Sequence, residues 1–437
     1  MSLNRLQVGI DFSQKRADFC LLFPDGQPLV AHQAFPNSLP GYQKARQLLL
    51  DSLRTQSFDG LDVSGEATSY YWLPYFWQMA HDSELSACDI SLFLLNPRQV
   101  FWFKKSLPPD DKTDNVDPFY IAERTRTRRP TSSWEPQDDW MPLRFYTRLR
   151  FHLAQSLTRE KNYYLIYLFL LHNTYQRIKP FSDTFGVTSQ QVLGGELSLA
   201  ELVALPEEDL AEKLDAWSGG NLDDPLETAK KLHQVASESF VLSEPLALAV
   251  QRILDSTLEH VKFIEKQIEQ TEQWITAEVE TRHPEVRFLE TVPGVGLVLA
   301  ADITAEIGDL QRFFRTKKWN KKHKCYRART LREVEDAVAK LAGLWWPQNS
   351  SGDFVSENRP LAKTSNRYLR YYLVQAANGM RRHIPAYVSF YGSKSREATR
   401  FKHKRALVLT ARKSIGLFVG LLHRKEAYRP QEVSGHL

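Results

Sequence analysis

Leu6–Asp11 reads LQVGID and Ala17–Phe23 reads ADFCLLF, and the relation between these two runs decides the fold. Each is short and apolar. The first closes on an acid, and the second runs into the turn signal Pro24-Asp25-Gly26, after which a third run, Pro28 to Phe35, follows at once. Three such runs joined by tight turns predict an antiparallel meander. Beyond them, GYQKARQLLLDSLRT (Gly41 to Thr55) predicts a helix, Gly60 to Gly65 a strand, Tyr70 to Ala80 an aromatic helix and Ile90 to Leu95 a further strand. The order βββαβαβα is that of a ribonuclease-H-like layer, in which the first and fourth strands lie side by side.

The 437 residues exceed what one core usually organises, so two or three domains are expected. With 42% hydrophobic and 25% charged residues the composition is that of an ordinary globular protein. The net charge of +5 is mild, but Lys and Arg are clustered, which points to an acidic or phosphate-bearing partner. Cys20, Cys88 and Cys325 are far apart and form no CxxC pair, arguing against a disulfide framework or a zinc cluster and for a reducing, cytoplasmic setting. His323 beside Cys325 has no second ligand pair to complete a zinc site. No apolar stretch approaches the roughly 18 residues of a membrane span, so neither export nor insertion is expected.

From Met141 to Lys179 the pattern turns continuously helical, as a hairpin or an arm. Residues 195–230 are acidic, and SGGNLDDP at Ser218 to Pro225 marks a linker or subdomain edge. Pro245 to Arg282 carries no internal Gly or Pro and a stripe at Leu254, Leu258, Val261, Ile264, Ile268 and Ile275. That spacing suits a coiled coil, packed either within the subunit or between two copies. LETVPGVGLVLAADITAEIGDL (Leu289 to Leu310) opens a compact helical domain reaching about Pro430, and its PGVG (residues 293–296) resembles a helix-hairpin-helix turn, whose glycines admit a phosphate. The whole reads as α/β plus all-α: residues 1–140 as a catalytic layer, 141–284 as a helical and coiled-coil middle, and 285–437 as a helical C-terminal domain.

Asp11 closes the first strand and Glu66 follows the fourth, while Asp114 and Asp117 in KTDNVDPFYIAER share one helix face at i, i+3 spacing. Four acids converging would repel one another unless divalent cations neutralise them, and Mg²⁺ suits all-oxygen donors. Two such ions would clamp the attacking and leaving oxygens of a phosphodiester. Taken singly, Asp114 and Asp117 also read as acids favoured at a helix N-terminus and Glu66 as a surface loop residue, and Asp110 and Asp111 stand near enough to substitute.

The motifs GIDFS (9–13), SGEAT (64–68), LLNPRQV (94–100) and KTDNVDPFYIA (112–122) resemble those of the DEDD-type insertion-sequence transposases, the bridge-RNA-guided recombinases. TVPGVGLVLAADITAEIGDLQRF (291–313), LAGLWWPQNSSG (341–352), KTSNRYLRYYLVQAA (363–377) and ALVLTARKSIGLFVGLL (406–422) follow in that family's order. The resemblance covers roughly 1–130 and 285–430. It implies a RuvC-like N-terminal domain and a C-terminal transposase domain. It further implies catalysis by Asp11, Glu66, Asp114 and Asp117 with Mg²⁺, joined by a nucleophilic serine from another subunit. The family's serine precedes the glycine of the SSG piece, here Ser351, with Ser350 the adjacent alternative. Without the resemblance, Ser350-Ser351-Gly352 is a polar loop after Trp345-Trp346-Pro347. The implied product is a phosphoserine link to DNA, and the implied partners are donor and target DNA, a structured non-coding RNA and further copies of the chain as a dimer or tetramer, with no membrane.

Between Phe313 and Leu341 the chain departs from the family pattern with a longer, more basic stretch. Arg315, Lys317, Lys318, Lys321, Lys322, Lys324, Arg327 and Arg329, interleaved with Trp319 and Tyr326, suit phosphate contacts with base stacking; a solvated face is the plainer reading. Arg124, Arg126, Arg128 and Arg129 form a second basic tract, and Arg370 and Lys413 extend the set toward the C-terminus. A junction-resolving nuclease using water, and a silent nucleic-acid binder retaining the same residues, are the alternatives to a recombinase.

Overall fold

The computed structural model describes residues 4–106, 116–127, 130, 133–194, 201, 203–316, 318–320, 325–347, 350–351, 354–355, 361–362 and 365–430. Two compact units divide the chain: residues 1–141, 287–295 and 306–437 form one, and residues 142–286 with 296–305 the other.

In the first unit, β1 (Arg5–Phe12), β2 (Arg16–Leu22) and β3 (Pro28–Pro36) form the expected meander, followed by α1 (Leu39–Thr55), β4 (Gly60–Glu66), α2 (Leu73–Ala80), α3 (Ser83–Ala87), β5 (Ile90–Leu95), α4 (Pro97–Lys105) and α5 (Asp117–Thr127). The sheet order is β3-β2-β1-β4-β5, with β4 parallel to β1 and β5. It is a mixed α/β layer of ribonuclease-H-like order. Alternation along β1 separates two faces. Leu6, Val8, Ile10 and Phe12 enter a core with Tyr42, Leu49, Tyr75 and Phe76, where Phe12 meets Tyr75 and Phe76 edge-on at 5.6 and 6.0 Å. The other face receives α5. A Cβ at Gly9 would stand 2.0 Å from the Pro118 carbonyl oxygen and 2.5 Å from the Ala122 nitrogen, so glycine is what lets this helix close on the sheet. On the same face Ser64, in register with Gly9, meets the Thr125 hydroxyl at 2.5 Å. Farther from the acids, Arg5 is buried and pairs with buried Asp62 at 2.7 Å, and it also bonds Asp89.

The aromatic helix begins at Leu73 rather than Tyr70, after a turn in which Ser69 takes a left-handed φ of 52°.

The second unit is helical. The pattern from Met141 to Lys179 is not one continuous helix: α6 (Trp140–Leu171) stops, and α7 (Tyr175–Ile178) follows. Next come α8 (Val187–Gly194), α9 (Glu207–Ser218), α10 (Pro225–Glu238) and α11 (Glu244–Arg282), with the SGGNLDDP breaker joining α9 to α10. α6 and α11 run antiparallel, tied by Arg150–Glu272 and Lys161–Glu265, both at 2.7 Å. The α11 stripe packs within the subunit here: Leu254 and Leu258 join Tyr164, Leu168, Leu210, Leu214 and Leu232.

Apart from residues 296–305, the C-terminal region returns to the first unit. After α12 (Arg287–Glu290) and α13 (Leu297–Ile307) come α14 (Gln311–Arg315), a small hairpin of β6 (Lys318–Asn320) and β7 (Cys325–Arg327), and α15 (Leu331–Ala342). A second hairpin, β8 (Ser350–Ser351) with β9 (Phe354–Val355), precedes α16 (Arg367–His383), α17 (Pro385–Glu397) and α18 (Lys402–Arg424). Length and composition alone would let α18 cross a membrane, contrary to the reading of the sequence. Half of its apolar stretch is buried, with Ala406, Ala411, Ile415 and Phe418 fully covered. Gly294 does not stand open to a phosphate: at φ 86° it lies against Gly379 of α16, where a Cβ would come within 2.5 Å of the Gly379 carbonyl carbon. The PGVG glycine serves backbone packing in this chain.

Candidate active site and nucleic-acid interface

Asp11 lies two residues beyond Gly9, and therefore on the face that receives α5. Glu66 lies two beyond Ser64 on the adjacent strand, and Asp117 opens α5 above them. Close helix packing thus converts sequence positions 11, 66 and 117 into one group. Its electrostatics register the convergence. Burial, then the charges of Asp117, Glu66 and Asp18, raise the Asp11 carboxyl to about 6, while Lys104 acts in the opposite direction.

Two members were not legible. Asp18 stands directly across from Asp11 on β2, buried, with Arg16 and His32 each at 2.9 Å from its carboxylate. Lys104, in the last turn of α4, forms an ion pair with Asp117 and lies 5.7 Å from the Tyr120 ring. The strand alternation of ADFCLLF places Asp18 on Asp11's face once the β1–β2 register is known. Nothing in FWFKK singles out Lys104 from Lys105. Among the described residues no three acidic, histidine or cysteine side chains are already arranged to hold a metal ion. The donor set is nonetheless wholly carboxylate oxygen, which suits a hard divalent cation.

Asp114, Asp110 and Asp111 lie outside the described residues, as do Arg128, Arg129, Lys317, Lys321, Lys322 and Lys324. Ser350 and Ser351 do not sit in a plain loop: their backbones pair with Val355 and Phe354 in the β8–β9 hairpin.

Among the described residues the expected phosphate contacts are in large part occupied. Arg126 grips Glu123 through two bonds of 2.6 Å and donates to the Pro24 carbonyl oxygen. Arg124 and Arg329 are half-buried. Arg315 pairs with Asp309 at 2.8 Å and Glu135 at 3.3 Å. Lys318 and Arg327 converge on Glu333. Arg370 donates to the carbonyl oxygens of Ala342 at 3.0 Å and Ala362 at 2.8 Å, closing the end of α15, and burial lowers its pKa. Lys413 covers the Phe390 ring at 4.5 Å.

Residues 8–171 match the DEDD transposase family model of IS110 type, a span that contains Asp11, Glu66, Asp114 and Asp117. Residues 286–321 and 328–392 match the transposase IS116/IS110/IS902 family, a span that contains Ser351. The chain belongs to the IS110-type DEDD transposases. No curated protein matches it. This transposase is accordingly an enzyme of DNA recombination and transposition, with DNA as its partner, and DEDD-type transposase domains use divalent metal ions. The match to the C-terminal family breaks at residues 322–327, inside the β6–β7 hairpin.

Proposed function

We propose that this transposase cuts and rejoins DNA through a covalent serine–DNA intermediate, with Mg²⁺ on Asp11, Glu66, Asp114 and Asp117 and with Ser351 as nucleophile. The observation that carries the reading is the convergence of Asp11, Glu66 and Asp117, where burial and then the neighbouring carboxylates raise the Asp11 carboxyl. Magnesium, when bound, supplies positive charge to the attacked phosphate and the departing oxygen. The protein's part is to orient carboxylate oxygens, exclude water and present the serine. Ser351 Oγ attacks phosphorus and loses its proton to solvent; the bond from phosphorus to the leaving deoxyribose oxygen breaks, and that oxygen takes up a proton. The phosphoserine link retains the bond energy for rejoining.

On this reading the N-terminal domain is RuvC-like, α6 and α11 form a coiled-coil middle, and the C-terminal domain carries the serine and a turn related to the helix-hairpin-helix. Carboxylates of one subunit work with Ser351 of another, making the active species a dimer or tetramer. A structured non-coding RNA pairs with donor and target DNA, and the enzyme acts in a prokaryotic cytoplasm at the nucleoid.

Asp11→Asn, Glu66→Gln and Asp117→Asn test the proposal on labelled element-end DNA with Mg²⁺ and the flanking RNA. Each is expected to lose strand cleavage by ~100-fold or more while retaining DNA binding. Retained cleavage in these variants would overturn the metal assignment. Cleavage by the wild type with no protein–DNA adduct would favour the water-using nuclease.

A further inference from the structure

We propose that the β6–β7 hairpin is a stacking platform for unpaired nucleobases, formed by Trp319 and Tyr326. Two faces of this hairpin do different work. Trp319 and Tyr326 are cross-strand partners and therefore share one face, as Lys318 and Arg327 share the opposite one. The charged face is bound down. Lys318 Nζ reaches Glu333 at 3.0 Å, and the Arg327 guanidinium meets both Glu333 oxygens at 2.7 and 2.8 Å. Glu333 in turn belongs to the Thr330 capping box that begins α15. The hairpin is thus anchored to a helix end through its cations, and its rings are turned away from that anchor.

The rings remain open, Trp319 at 47% and Tyr326 at 67% exposure, with centroids 5.0 Å apart at 66°. Two large aromatic side chains left in water forgo burial that a folded chain ordinarily takes, so their exposure calls for an occupant. The surrounding chemistry names its class. Residues 315–329 contain eight Lys or Arg and no acid, so both rings belong to a basic stretch of sequence. Aromatic faces within a basic tract match single-stranded nucleic acid, whose bases offer free π faces beside phosphates; a duplex keeps those faces stacked inside. The family match is interrupted at residues 322–327, a gap that holds Tyr326, while Trp319 lies inside the matched span.

The inference goes beyond strand cutting and does not depend on it. Binding of the full chain to labelled oligothymidylate, oligouridylate and a duplex is measured by fluorescence anisotropy, without divalent ions, across a salt series. Trp319→Ala with Tyr326→Ala is expected to weaken single-strand binding by about tenfold or more, leaving the slope against salt and the duplex affinity unchanged. Trp319→Phe should retain most of the affinity. Loss for oligothymidylate identifies DNA as the ligand, and loss for oligouridylate identifies RNA. Unchanged single-strand binding, or equal weakening for single strand and duplex, would overturn the proposal. Because no cleavage is read, failure here leaves the serine and carboxylate assignments standing.

Discussion

Asp11 carries an electrostatic cost that can be measured without any substrate. An ordinary aspartate titrates near 3.9, while burial and neighbouring acids raise this one to about 6. Between those values the folded carboxyl holds a proton that the unfolded chain has released, so stability is lost as pH rises through the window. Above pH 6 the cost is fully present. Asp11→Asn should therefore raise the thermal midpoint of the metal-free protein at pH 8, by roughly 1–3 kcal/mol of stability, and by less at pH 5. A midpoint at pH 8 unchanged or lowered by the substitution would show that neither burial nor the neighbouring acids disfavour the Asp11 charge. Lys104 relieves part of the same repulsion through Asp117. Its ammonium competes with any cation for that carboxylate, so Lys104→Gln should tighten Mn²⁺ binding, read by calorimetry, by about 1 kcal/mol or roughly fivefold. Weaker binding in the variant would instead mean that Lys104 holds Asp117 in its ligating position.

α5 brings Asp117 over the sheet, and its approach depends on β1 having no side chain at residue 9. Gly9→Ala places a methyl 2.0 Å from backbone that has no room to yield. The substitution should cost about 3 kcal/mol in urea unfolding and weaken divalent-ion binding together; loss of neither would contradict the close helix–sheet contact. The strands were legible because short apolar runs closed by turn residues have few other readings. Asp11 and Glu66 were legible because each ends such a run. Lys104 was not, since two lysines in a last turn look alike until the neighbouring helix is placed. The β6–β7 hairpin was hidden for a related reason: three-residue strands in a basic tract carry no periodicity, and their pairing rests on Glu333, which lies six residues past β7. Arg370 and Gly294 misled in the opposite sense. A cation and a glycine of plausible phosphate-binding type are used for closing α15 and for packing on α16.

Across the whole molecule, the proposed chemistry falls to residues far apart in sequence, with the carboxylates in a ribonuclease-H-like layer and Ser351 on a short hairpin in the C-terminal region. The second unit holds its own core around Tyr164, Leu168, Leu254 and Leu258. Neither composition nor periodicity links the two chemical parts; the family motifs do. The linkage is tested by isolating the covalent intermediate. Wild-type protein is incubated with Mg²⁺, its flanking RNA and target DNA, digested, and the nucleotide-bearing peptide is identified by mass spectrometry. The account predicts a nucleotide on Ser351, with no such peptide from Asp11→Asn. A nucleotide on Ser350 or any other residue, or DNA cut with no modified peptide, would contradict it.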